Sequence, residues 1–206
     1  MHIRIIHQYF KTPENGGGLR TYYLGRELVA RGHTVSVITA TNREKAAVYE
    51  LEGMKIHALP VYYTNHLGFI SRLGAFVRFV LYACRILGKL PASDLNYVIT
   101  TPLTTGIIAL YGKVFLSQSY YFEVGDLWPD APIALGILKN PLLIRLSRWL
   151  EKTSYRNAAA LIGLSPPISD QLSAKAPDVA VETITNFSPA EYLDTENSPK
   201  IRAKYN

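Results

Sequence analysis

One cysteine, Cys84, stands in a chain of 206 residues. A single thiol excludes an internal disulfide framework and a cysteine-built zinc site, and inside an apolar run it reads as a small core residue in a reducing compartment. Long hydrophobic runs are missing too. The one apolar region, 67–90, is interrupted by Arg72, Arg78, Arg85 and Lys89, so it falls short of the roughly 18 uncharged apolar residues that a membrane span needs. The start, Met1 to His7, has neither a sustained apolar core nor a small-residue cleavage site, and is expected to be a strand rather than an export signal. Absence of a Gly-x-Ser-x-Gly elbow and of a Cys/His pair leaves hydrolase triads without support. His7, His33 and His57 are scattered and read as structural, and no His-x-x-x-His or other ligand spacing accompanies the carboxylates, so no metal bound by this chain alone is expected. No cofactor is expected either.

What is present is an ordinary globular composition, 48% hydrophobic and 18% charged, enough for one large domain or one domain and a fragment. The net charge is +6. Residues 1–122 carry that whole excess while 123–206 are close to neutral, an asymmetry that points to an anionic partner: phosphate groups, nucleic acid or an acidic membrane surface.

Short β-branched runs alternate with longer runs of helical period, the pattern of β-α-β units and an α/β fold with a mainly parallel sheet covered on both faces. Strands are expected near 2–8, 34–40, 54–61, 95–100, 118–124, 159–164 and 180–185. A helix over 18–31 presents Leu24, Leu28 and Val29 and ends at Gly32, a residue suited to the left-handed position after a helix. Residues 140–157 open on Asn140-Pro141, a cap followed by the first-turn position that accepts proline. That helix is expected to bury Leu142, Leu146, Trp149 and Leu150 opposite Arg145, Arg148 and Lys152. Ser165-Pro166-Pro167 opens another helix in the same way. Ligands in such folds gather outside the carboxyl ends of the strands.

Three features there carry chemistry. Gly16-Gly17-Gly18-Leu19-Arg20-Thr21 joins the first strand to the first helix; without Cβ atoms, backbone N–H groups can approach an anion, and the helix adds its partial positive end. The other reading is a merely flexible loop. It is not a dinucleotide fingerprint, because the loop from Gln8 is too long and Thr21 stands where a third glycine belongs. The run Phe122-Glu123-Val124-Gly125-Asp126-Leu127-Trp128-Pro129-Asp130 places three carboxylates and a tryptophan at a strand end; these form a site, an ion-pair node or a cap on the next helix. Thr100 and Thr101 offer hydroxyls after another strand, to a ligand or to a helix start. In 67–90, Ser71, Arg78, Tyr82, Arg85 and Lys89 fall on one helical stripe that is purely basic. That is the pattern of an interfacial helix drawn to anionic lipid, or of a sheet-covering helix with a solvated edge.

Taken together, His7-Gln8-Tyr9-Phe10, the glycine loop with Arg20, and Arg26-Glu27-Leu28-Val29-Ala30-Arg31-Gly32-His33-Thr34-Val35 resemble the N-terminal domain of GT-B glycosyltransferases of family 4. The block from Phe122 to Asp130, through Ala134-Leu135-Gly136, resembles the bacterial subgroup similar to N-acetyl-L-fucosamine transferases of O-antigen and capsule assembly. The resemblance implies a Rossmann-like, doubly wound N-terminal half of a GT-B fold over 1–194, with 195–206 leading toward a donor-binding domain that carries Glu-x₇-Glu and is not in this chain. It implies retaining transfer from a nucleotide-sugar donor, usually a UDP-sugar, to a saccharide on polyprenyl diphosphate, at the cytoplasmic face of the inner membrane and without nucleic acid as partner. By position, Asp126 would be the catalytic residue; Gly16, Gly17, Gly18, Arg20, Thr101, Glu123, Trp128 and Asp130 would bind donor phosphate or acceptor. Arg78, Arg85 and Lys89 would face the membrane. Gly125 stands where this subgroup commonly has arginine, and Asn186-Phe187 replaces the usual Asn-Gly near the interdomain crossover. The alternative implied function is a non-catalytic module that binds lipid-linked saccharide beside a separate donor-binding chain.

Overall fold

A computed structural model describes residues 1–16, 19–64 and 66–187. The proposed linker 195–206 therefore lies outside the described residues, as do Gly17 and Gly18. Strands β1 (His2–Ile6), β2 (Thr34–Thr41), β3 (Ala47–Leu51), β4 (Met54–Pro60), β5 (Leu95–Ile99), β6 (Tyr120–Val124), β7 (Ala160–Gly163) and β8 (Val181–Thr183) form one sheet. Its order is β3-β4-β2-β1-β5-β6-β7-β8. All neighbours pair parallel except β3 with β4. The chain winds outward from β1 in one direction and, after β4, returns to continue from β5 in the other. This leaves a topological switch point between β1 and β5, where a doubly wound sheet opens its ligand crevice.

Helices α1 (Arg20–Ala30), α2 (Phe69–Leu87), α3 (Thr105–Leu116), α4 (Asp130–Ala134), α5 (Pro141–Arg156) and α6 (Pro166–Lys175) follow the strands. Tyr22 and Tyr23 of α1 close one face of the sheet over Ile5, Val37 and Ile56. On the other face, Phe79, Ala83 and Leu87 of α2, Ile108 of α3 and Tyr155 of α5 pack over Ile6, Val98, Tyr120 and Phe122. Burying side chains of this size stabilises by about 1.5–3 kcal/mol each. Cys84 joins the second cluster, where burial pushes its thiol up to about 11, an unreactive value.

Two elements, the strand β3 and the helix α3, are not marked by the sequence pattern. β3 is an exposed edge strand that reaches β4 through a two-residue turn in which Glu52 and Gly53 both take positive φ, the turn that matches strand twist. α3 is apolar nearly all round, so it has no amphipathic contrast to betray its period. The Asn140 cap is present, its side chain accepting from the Leu142 and Leu143 amides at 2.9 and 3.1 Å.

The buried stripe expected for α5 needs correction. Leu150 is buried, but Leu142, Leu146 and Trp149 are exposed, and the inner stripe is Leu150, Glu151, Ser154 and Tyr155. Two contacts turn the helix this way. Gly106 of α3 admits Ser154, whose Oγ would lie 2.3 Å from any added Cβ. Glu151 binds Lys175 of α6 at 2.6 Å, so a charged residue occupies a place that periodicity gives to a leucine.

Candidate functional site

The loops after β1, β2, β4 and β5 enclose a cavity of about 710 Å³, within the size range of small-molecule sites. Gln8, Tyr9, Lys11, Thr12 and Asn15 line it from β1, Thr39 to Arg43 from β2, Tyr63 and Thr64 from β4, and Thr101 from β5. Asn42 clamps two of these loops by exchanging hydrogen bonds with the Tyr63 backbone, donating to its carbonyl at 3.2 Å and accepting from its amide at 2.9 Å. The Tyr63 ring lies between Tyr9, with centroids 4.8 Å apart, and Phe76 of α2 at 5.8 Å. Gln8 is 1% exposed, yet neither its Nε2 nor its Oε1 has a protein partner among the described residues. A buried amide in that state costs about 1–3 kcal/mol unless a ligand or water satisfies it.

Among the described residues, Thr101 is the one expected site residue that lines this cavity. Gly16, with φ +61°, follows Asn15 of the cavity wall and leads toward the start of α1. Arg20, in the first turn of α1, donates from Nε to Glu123 Oε2 at 2.8 Å and from Nη1 to the Thr185 carbonyl at 2.8 Å. Glu123 is buried and also accepts from the Tyr97 hydroxyl. Burial and then the Glu123 charge push the Tyr97 hydroxyl up, holding it protonated as donor. The pair joins the entrance of α1 to β6 and to the segment after β8. Beside it, Thr21 and His7 Nδ1 lie 2.8 Å apart. His7 is buried and burial pushes its pKa down to about 4, so the ring is neutral at pH 7.

Asp126 is exposed on the loop after β6, two strands from the switch point, and Trp128, two residues on, is half-buried. Asp130 turns away, in the first turn of α4, to bind Lys175 at 2.7 Å beside Arg148, Lys152 and Arg156 in a separate 480 Å³ groove. Arg78, Arg85 and Lys89 are exposed along α2 and its end. Among the described residues no group of three or more His, Cys, Asp or Glu side chains could hold a metal. Sequence reasoning assigned no role to Gln8, Tyr9, Asn42 or Tyr63. For Gln8 and Tyr9 a signal existed in the run His7 to Phe10, but nothing local shows that Asn42 and Tyr63 meet it.

The family profile of the glycosyl transferase 4-like domain matches residues 15–186. The chain belongs to that family. Among solved structures, the glycosyl transferase 4-like domain described here is similar to sucrose-phosphate synthase from Thermosynechococcus elongatus, with TM-score 0.68, 14% identity, and coverage of 98% of this chain and 52% of that one. It is also similar to the catalytic domain of starch synthase IV from Arabidopsis thaliana bound to ADP and acarbose, with TM-score 0.61, 13% identity, and coverage of 95% and 52%. These likenesses fix the fold as that of a GT-B N-terminal domain. The chain spans about half the length of these two structures. No curated protein sequence matches it as a relative.

Proposed function

We propose that this domain is the acceptor-binding half of a retaining glycosyltransferase that moves a sugar from a UDP-sugar to a saccharide carried on polyprenyl diphosphate. The subgroup likeness of the Phe122 to Gly136 block points to surface-polysaccharide assembly and to relatives of N-acetyl-L-fucosamine transferases. The observation that carries the proposal is the switch-point cavity, whose aromatic rings and unpartnered Gln8 amide suit a pyranose: rings for its C–H face, the amide for its hydroxyls. Donor nucleotide is held mostly by a second domain across the cleft.

In the reaction, the acceptor hydroxyl forms a new bond to the sugar C1 as the C1–O bond to the diphosphate breaks, and the hydroxyl proton passes to the departing phosphate on the same face. The main demand on the protein is stabilising charge on the leaving group. The glycine loop, Gly16 to Gly18, and the start of α1 supply backbone N–H groups and the helix dipole for that purpose. Arg20, held by Glu123, fixes where that helix starts. Asp126 acts as an electrostatic orienter, with Trp128 and Thr101 shaping the acceptor's approach, while Asp130 supports the loop through Lys175. The basic edge of α2, Arg78, Arg85 and Lys89, holds the protein peripherally on the cytoplasmic leaflet; among the described residues no helix is long and apolar enough to cross it.

The test joins this domain to its donor half and supplies polyprenyl-diphosphate-linked saccharide with a panel of UDP-sugars, identifying the product and its anomeric configuration by mass spectrometry and NMR. An elongated, retained glycosidic product is expected. Gln8→Leu should raise the acceptor KM about tenfold with kcat little changed, as expected for a lost buried hydrogen-bonding group. Asp126→Asn should lower kcat on the order of 10²-fold in a folded protein. Inversion at C1, or full activity in both variants, would refute the respective assignments.

A further inference from the structure

Among the described residues, nothing covers the outward faces of α2, α3 and α5. α3 packs between the other two, so the three helices form one layer over the sheet. Along α2 the exposed side chains include Ile70, at 83%, then Leu73, Val77 and Leu81, spaced at helical turns. α3 adds Ile107 and Val114. α5 adds Leu142, Leu146 and Trp149, the last 59% exposed, and the loop before it adds Leu135 and Ile137. Soluble monomers rarely expose so much contiguous apolar surface.

Charge identifies the partner. The only acidic residue in these three helices is Glu151, which is buried and bound to Lys175. The exposed cations on the same helices are Arg78 and Arg85 of α2, Lys113 of α3, and Arg145, Arg148, Lys152 and Arg156 of α5. A protein partner of mixed charge would not call for one sign alone. A bilayer with anionic head groups meets both conditions, with apolar side chains at the level of the acyl chains, cations among the phosphates and a tryptophan at the boundary. Tyr63 of the cavity stacks on Phe76 of α2, one helical turn from Leu73, so the cavity wall is continuous with this face.

We infer that α2, α3 and α5 together form a single docking face for an anionic membrane, with Trp149 inserted at the head-group boundary. The inference deepens the membrane contact proposed for α2 and rests on that reading for its choice of a bilayer. It extends the contact from one helix edge to a three-helix layer.

The test is cosedimentation of the chain with vesicles of phosphatidylcholine alone and of phosphatidylcholine with phosphatidylglycerol. Binding to the anionic vesicles only, weakened by salt, is expected. The sequence has two tryptophans, so in a Trp128→Phe background brominated acyl chains should quench Trp149 emission. Leu146→Glu with Trp149→Glu should weaken binding at least about tenfold, as should Arg78→Glu with Arg85→Glu. All four positions are exposed, and an unchanged thermal midpoint controls for folding. If the α2 pair abolishes binding while the α5 pair leaves it intact, the contact belongs to α2 and the three-helix face is overturned. Failure to bind anionic vesicles at all overturns both membrane readings, while product formation tests sugar transfer separately. A dimer in solution that shields Trp149 without vesicles assigns the face to a second copy and overturns the inference.

Discussion

Glu123→Ala should destabilise the domain by about 3–5 kcal/mol, the range for breaking a buried ion pair from one side. The carboxylate accepts from both Arg20 and Tyr97 and is 3% exposed, and Arg20 is largely buried as well. Removing it leaves the buried Tyr97 hydroxyl without its acceptor and the Arg20 guanidinium with the Thr185 carbonyl but no counter-charge. The loss should show as a lower urea midpoint at an unchanged slope. Glu123→Gln keeps an acceptor for Tyr97 and a dipole toward Arg20, so it should cost less than the alanine variant. A fall below about 1 kcal/mol in Glu123→Ala would mean that Arg20 finds water readily and that the pair does not tie α1 to β6.

Stability should also fall as pH drops from about 6.5 to 4, and His7 should carry a measurable part of it. Its folded pKa is pushed down to about 4 by burial, against an ordinary value of 6.5. Between those values the unfolded chain binds a proton that the folded chain refuses, so the folded state is fully stable above 6.5 and loses stability through the window. The difference amounts to about 3 kcal/mol at the acid end. His57 is shifted the same way, by burial first and then by Lys55 and Arg4, so it adds with the same sign. Urea titrations at pH 7, 5.5 and 4 should therefore show a shallower pH dependence in His7→Gln than in the unaltered chain. Equal slopes would show that His7 becomes protonated in place, with the hydrogen bond to Thr21 surviving.

Both effects meet at the start of α1. His7 directly follows β1, Glu123 is on β6, and Arg20 and Thr21 are the first residues of the helix that contacts both. The arrangement sets the helix N-terminus at the switch point, with its partial positive charge at the ligand-binding end of the sheet.

Much of this was readable along the chain, because the signals are local. Alternation of β-branched and helical runs gave the parallel strands, Asn140-Pro141 gave the start of α5, and Gly32 its left-handed turn after α1. The charges within 67–90 ruled out a span. Residues near one another in sequence also pointed to the strand ends as the place of chemistry. The cavity is different, since Gln8, Asn42, Tyr63 and Thr101 come from four loops that only the β4-β2-β1-β5 order brings together. The pairing of Arg20 with Glu123 spans 103 positions and crosses the same switch. The outer face of α5 depends on the tertiary structure for a related reason: periodicity shows that a helix has two sides, but packing against Gly106 and Lys175 chooses which one is buried. The sequence thus determined most of the elements, β3 and α3 aside, and the single cysteine's inert role. Tertiary structure decided which polar groups are paired, which buried amide has no partner among the described residues and which apolar stripe faces outward, because each depends on contacts between distant segments.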